Sequence, residues 1–187
     1  MARKNNGIIL LLIGCLLLLI ACGWYIYNIV EDNHAGMIAE EILNKFDAKQ
    51  KDTAEINNSV IIVEGDAFCG KIIIENLSIE LPVYDEWDYT RLKLAPCRYT
   101  GKIDTNDMII AAHNYKSHFG LLNMLAIGDE IEFIDVYEKS HLYEVCELIT
   151  LDGSAVSDMK SGDCDFTLFT CTISGEQRVT VRCKAKG

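Results

Sequence analysis

The first thirty residues carry the plainest hydrophobic pattern in the chain. From Gly7 to Val30 the sequence runs GIILLLIGCLLLLIACGWYIYNIV without a single charged residue. About 20 apolar residues are enough to cross a bilayer core as a helix, and the apolar part of a secretory signal is usually shorter. Trp24, Tyr25 and Tyr27 lie near the far end of the run, where amphipathic rings favour the membrane–water interface. Arg3 and Lys4 precede the span, and Glu31 and Asp32 follow it. The positive-inside bias therefore predicts residues 1–6 in the cytoplasm, a single-pass anchor at 7–30 and everything beyond about residue 31 outside.

Residues 31–66 read as an extracellular stalk or linker. Met37, Ile38, Ile42, Leu43 and Phe46 recur at helical spacing among Glu and Lys residues, and Asp47–Ser59, DAKQKDTAEINNS, is linker-like in composition. Beyond residue 60 the pattern changes to short β-like runs, several with period two. They are Cys69–Glu75, Leu77–Tyr84, Asp107–His113, Glu130–Tyr137, Leu142–Ile149, Phe166–Cys171 and Arg178–Arg182. Turn signals separate them at Thr100-Gly101, Gly128-Asp129, Asp152-Gly153, Ser161-Gly162-Asp163 and Ser174-Gly175. A helical stretch is expected at 120–126, where Leu121, Leu122, Met124 and Leu125 would cover a barrel end. The fold class is thus all-β with minor helix. A closed or nearly closed barrel of seven or eight strands occupies residues 67–187, and a sandwich fits the same pattern.

Charge narrows the choice of partners. The formal net charge is −11, and Arg3 and Lys4 are the only charges before Glu31, so the rest carries −11 − 2 = −13. That balance leaves no basic footprint for nucleic acid. Cys15 and Cys22 lie in the span; the other cysteines are Cys69, Cys97, Cys146, Cys164, Cys171 and Cys183. None forms a CxxC pair, which argues against a structural zinc site. No cofactor or metal is expected. Pairing is not fixed by sequence, and the expectation is mostly reduced, buried thiols.

A thiol nucleophile needs a proton partner and a donor for the developing oxyanion. Cys171 ends the run Leu168-Phe169-Thr170-Cys171, Arg178 opens the next strand after a short loop, and His113 closes the run Met108–His113. Two adjacent antiparallel strands would bring Cys171 close to Arg178. All three residues stand at strand ends, where a β scaffold displays reactive groups.

The string Thr167-Leu168-Phe169-Thr170-Cys171 matches the TLxTC signature of sortases, the cell-wall-sorting cysteine transpeptidases of Gram-positive bacteria. The order His, Cys, Arg is similar to theirs, as is Ala112-His113-Asn114 around the histidine. Glu80-Leu81-Pro82-Val83-Tyr84 and Leu125-Ala126-Ile127-Gly128-Asp129 resemble further segments, and the resemblance covers about residues 68 to 185. It implies that Cys171 is the nucleophile, His113 the general acid and base, and Arg178 the stabiliser of the substrate carbonyl or oxyanion. It also implies partners: secreted proteins with a C-terminal LPxTG-like sorting signal, and the amine of a cell-wall precursor or pilin. The subclass stays open. Asp152–Asp165 is too short for the helical insertion of class B, Asp104 and Asp107 are too sparse for a calcium site, and Asp85-Glu86-Trp87 lacks the proline of a pilin-type lid motif.

Rival assignments remain beside these. His118 lies in the loop after His113, and Arg182 shares a strand face with Arg178. Cys97-Arg98 lacks a surrounding signature, and Asn114 is a possible positioning residue. His34 and His141 are expected to be solvated. Two other functions fit the same groups: a hydrolytic cysteine protease with water as acceptor, or a non-catalytic binding module anchored as a lipoprotein. The second rests on Leu19-Ile20-Ala21-Cys22, which is similar to a lipobox, although Gly23–Val30 stay apolar after the cysteine.

Overall fold

The computed structural model describes residues 2–51, 56–57, 59–160 and 164–186. Part of the linker read at Asp47–Ser59 and the turn at Ser161–Asp163 therefore lie outside the described residues. The chain divides into two compact units, Met1–His34 and Ala35–Gly187. Helix α1, Ala2–Gln50, supplies the described part of the first. It is long and apolar enough to cross a membrane, and its side chains from Gly7 to Val30 are all exposed.

The second unit is built on strands β1 (Ile56–Asn57), β2 (Val60–Val63), β3 (Asp66–Ile74), β4 (Ile79–Tyr84), β5 (Cys97–Thr100), β6 (Met108–Ala111), β7 (Glu130–Asp135), β8 (Ser140–Asp152), β9 (Phe166–Cys171) and β10 (Gln177–Ala185). Their order is β1-β2-β3-β4-β5-β6-β9-β10-β8-β7, and β7 pairs back onto β3. Eight strands, β3 to β10, thus close into a barrel, and β1–β2 extend from β3. Most neighbours are antiparallel. The exceptions are β4–β5 and β6–β9, which run parallel.

Closure sorts side chains by strand parity. Inward positions form one core, including Ile72, Leu81, Ile110, Phe133, Tyr143, Phe166, Leu168 and Val181. Tyr143 stacks on Phe166 with centroids 4.5 Å apart. The segment expected as a helix at 120–126 is instead a series of turns around a single 3-10 turn, Leu122–Met124. Leu122 and Leu125 are buried beneath it while Met124 is exposed. Two buried leucines in seven residues suffice to plug a barrel end without a continued helix.

The last turns of α1 pack within this second unit. Ala39 joins the interior core, and Phe46, fully buried, meets Phe68 in a second cluster with Ile61, Val63 and Tyr84. Gln50 donates to the Asp135 carbonyl at 2.6 Å. Three strands lie outside the runs expected from sequence: β1, a two-residue strand, β2, a four-residue apolar run, and β5, whose register shifts between Arg98 and Thr100. The loop after β8 carries a short helix, α2 (Val156–Lys160).

Candidate active site

Strands β6, β9 and β10 lie side by side. The outward positions of β6 and β9 are Ile109 and Ala111, and Thr167, Phe169 and Cys171; Met108, Ile110, Phe166 and Leu168 point into the core. On β10, Val179, Val181 and Cys183 face the core, which turns Arg178, Thr180 and Arg182 outward. Cys171 and Arg178 sit directly opposite each other across the antiparallel β9–β10 pair. Facing cross-strand residues carry their Cβ atoms about 4.5–5.5 Å apart on one face. Thiol and guanidinium therefore share the outer face.

The hairpin holds this pairing rigidly. Thr172 N–H donates to the Gln177 carbonyl at 3.0 Å, and Gly175 N–H to Thr172 O at 2.9 Å. Arg178 Nη1 donates to the carbonyls of Gly175 (2.8 Å) and Gln177 (3.0 Å). Two bonds from one nitrogen fix the start of the side chain's fork and leave other guanidinium donors for a ligand. Beside it, on β8, the Ser154 hydroxyl and backbone N–H hold Asp152 below the usual carboxylate range, and the Arg178 cation adds to the shift.

His113 is delivered by the parallel pairing. Ala111 lies opposite Phe169, Ala112 N–H donates to Phe169 O at 3.2 Å, and Thr170 Oγ1 donates to Ala112 O at 2.9 Å. Carried two residues further, this register brings His113 alongside Cys171. After His113 the chain folds back tightly: Phe119 N–H donates to His113 O at 3.3 Å and Gly120 N–H to Tyr115 O at 2.8 Å. A Cβ on Gly120 would lie 2.4 Å from Asn114 O, so this close approach needs glycine. Tyr115 stacks on the His113 ring with centroids 4.0 Å apart and 24° between planes.

The rival residues sit differently. His118 is fully buried against Tyr115, whereas His113 is partly exposed. Arg182 is engaged by Glu147 at 2.7 Å and by the Asp158 carbonyl. Arg98 donates to Asp85 O, Asp85 Oδ1 and Gly101 O. Burial pushes the thiols of Cys69 and Cys97 up to about 12, which keeps them protonated and inert. His141 lies 3.0 Å from Asp135 Oδ2 and is mostly buried rather than solvated. Asp107 closes a turn by accepting from Lys102 N–H and the Thr105 hydroxyl. Of the cysteines expected as buried thiols, Cys69, Cys97 and Cys183 are buried, but Cys146 is exposed and Cys164 partly so. The exception at Cys146 comes from an irregularity in β8 that the sequence pattern does not reveal.

An apolar floor adjoins the three residues on the outer face. Ile109, Ala111, Leu151, Met159 and Phe169 form one cluster, with Leu92, Tyr99 and Ile149 against it. Phe169 meets Tyr99 edge-on at 5.4 Å, and Tyr99 meets Trp87 at 6.3 Å. The ladder leads into an open groove of about 760 Å³ lined by Trp87, Arg98, Tyr99 and Lys102, among others. Neither Tyr115 nor this floor was singled out from sequence. Strand parity carried a signal for the floor, since Phe169 stands two residues before Cys171. Tyr115 had no such signal.

The fold and the outer-face trio define a closed β-barrel carrying cysteine, histidine and arginine at adjacent strand ends. The sortase domain family matches residues 72–186, and the chain belongs to the sortase family. Among solved structures it is similar to a sortase D5 transpeptidase of Clostridium perfringens, with 24% identity, a TM-score of 0.60, and 81% of this chain and 97% of that one covered. Sortase C from the same species shows 21% identity and a TM-score of 0.58, covering 81% and 90%. Listeria monocytogenes sortase A shows 23% and 0.58, covering 65% and 89%. At these identities the likeness is one of fold. No match was found among curated proteins.

Proposed function

We propose that this chain is a membrane-anchored cysteine transpeptidase that cleaves an LPxTG-like sorting signal and passes the acyl group to an amine. The observation that carries the reading is the cross-strand pairing of Cys171 with Arg178, joined by the β6–β9 register that leads to His113.

In this reading the Cys171 thiol passes its proton to His113 and the sulfur attacks the carbonyl carbon of the Thr–Gly bond. The developing oxyanion is met by Arg178, a cation that stays protonated throughout. His113 protonates the leaving amine, so the C–N bond breaks and a thioester remains on Cys171. The incoming amine loses a proton to His113 as it attacks the thioester carbon; the C–S bond breaks, and the sulfur takes that proton back from His113 to regenerate the thiol. A thioester retains the energy of the cleaved amide, and that is what permits transfer rather than hydrolysis alone. The apolar floor around Phe169 offers the leucine and proline of such a signal a surface to bury. Residues 7–30 serve as the single-pass anchor, and the compact unit that carries the barrel begins at Ala35. The N-terminus is cytoplasmic and the barrel faces outward, supported by the charge asymmetry about the span.

The test is intact and peptide mass spectrometry of the full chain in detergent, incubated with an LPxTG peptide library and an amine acceptor. The expected result is an acyl adduct on Cys171 that amine resolves to a ligated product and that Cys171→Ala abolishes. Hydrolysed product with no ligation would make water the acceptor. No adduct on a folded chain would overturn the reading, and loss of residues 1–21 would show lipoprotein maturation at Cys22.

A further inference from the structure

Strands β8 and β10 pair with an irregularity that aims a cysteine. Arg182 lies opposite Glu147, but Cys183 lies opposite Val145, so Cys146 is the extra residue of a β-bulge. Bulges interrupt alternation and redirect the residue they contain. The Cys146 thiol, exposed, donates to Arg182 O at 3.2 Å and stands 3.9 Å from Cys164 Sγ. Cys164 is partly exposed, at the entrance to β9.

The other barrel thiols are placed differently. Cys69, Cys97 and Cys183 are buried. Cys171 stands at the far end of β9, roughly 17 Å along the strand from Phe166. A disulfide needs its sulfurs about 2.0 Å apart, so each thiol of the 3.9 Å pair has to swing by about 1 Å, within the range of side-chain rotation.

We propose that Cys146 and Cys164 are a redox-active pair that closes to a disulfide and ties the entrance of β9 to the bulge of β8. The oxidant is an external disulfide, a small molecule or an oxidoreductase, reacting by exchange. The Cys146 thiolate attacks it, releasing one thiol and leaving a mixed disulfide on Cys146. The Cys164 thiolate then attacks the Cys146 sulfur, which forms the intramolecular bond and expels the second thiol. Two protons leave the pair, and its two electrons reduce the external disulfide to two thiols. Exposure favours Cys146 as the first attacker. Burial, followed by its contact with Cys146, pushes the Cys164 thiol up to about 11, so it stays protonated while Cys146 makes the first attack.

The bond would enclose a segment that matters to the outer face. Its described part contains Leu151 and α2, whose Met159 packs in the same cluster as Phe169, two residues from Cys171. Arg182 also reaches across to Glu147 and to the Asp158 carbonyl. Oxidation adds a covalent tie to this cover of the apolar floor.

The experiment equilibrates the full chain in detergent with oxidised glutathione or with dithiothreitol, blocks free thiols by alkylation, and maps the cysteines by mass spectrometry. Cleavage at Lys160 separates Cys146 from Cys164, and cleavage at Asp165 separates Cys164 from Cys171. Expected is a Cys146–Cys164 cross-linked peptide in the oxidised sample only. An unfolding midpoint about 5–10 °C above that of the reduced chain should accompany it. Cys146→Ser and Cys164→Ser should each abolish both the cross-link and the shift. Alkylation of both cysteines in the glutathione-treated folded chain, or a bond from Cys164 to Cys171 or Cys183, would overturn the proposal.

Discussion

Replacing Thr170 by valine tests how the strand that ends at Cys171 is tied to the residue preceding His113. Thr170 is buried, and its hydroxyl donates to Ala112 O at 2.9 Å across the β6–β9 boundary. Valine keeps the β-branch that suits a strand and removes only the donor. Leaving a buried acceptor without its partner costs about 1–3 kcal/mol, and the added methyl returns up to about 0.8 kcal/mol. The expected net loss is about 1–2 kcal/mol. With a urea m-value of about 2 kcal/mol/M, the unfolding midpoint should fall by about 0.5–1 M. Trp87, half-exposed on the barrel, reports the transition by fluorescence, and Trp24 lies in the span. Thr170→Val should also slow acylation of Cys171, because the same bond steadies Ala112 beside His113. Thr170→Ser, which restores the hydroxyl, should recover most of the acylation rate. A valine variant with the parent's midpoint and acylation rate would refute the reasoning.

Three further outcomes follow from the same geometry. Arg178→Gln should lower kcat/KM about 10²–10³-fold while moving the urea midpoint little, and Arg178→Lys should rescue only part, because a point charge lacks the guanidinium fork. Phe46→Ala, at a fully buried position against Phe68, should cost about 3–5 kcal/mol, read from the urea midpoint of the full chain. Asp152 is held below its ordinary value of about 3.9, so its contribution to stability is complete above that unfolded value and disappears as pH falls through the lowered folded one. Urea midpoints of the parent should therefore drop more steeply than those of Asp152→Asn as pH is lowered from about 5 to 2, and parallel curves would remove the assigned role.

Local pattern and long-range pairing were unequally legible. Phe166–Cys171 and Arg178 announce a hairpin because two β-like runs flank a short loop, and adjacent antiparallel strands follow from that proximity. The position of His113 at a strand end was legible too. Its neighbour across the sheet was not, since β6 and β9 pair in parallel across the intervening β7 and β8, and no local periodicity specifies a crossover partner. Strand β5 escaped because Cys97-Arg98-Tyr99-Thr100 is only four residues long and contains a register shift. Cys146 reads as an ordinary strand residue, since a bulge depends on the pairing partner rather than on the bulged strand alone. Phe46 showed its helical spacing but not its burial, which depends on tertiary contact with Phe68.

The strand order also sets a sequence of events during synthesis. Closure of the barrel through β3 and β7 waits for strands separated by more than fifty residues, and such non-local pairings form slowly. Strand β9 completes its hydrogen bonds only when β10 arrives, and β10 is the last strand of the barrel. Until then Cys171 has no facing arginine. A chain whose strands emerge in sequence order would therefore carry an unassembled thiol through most of its emergence, and the trio would come together only in the final stage of folding.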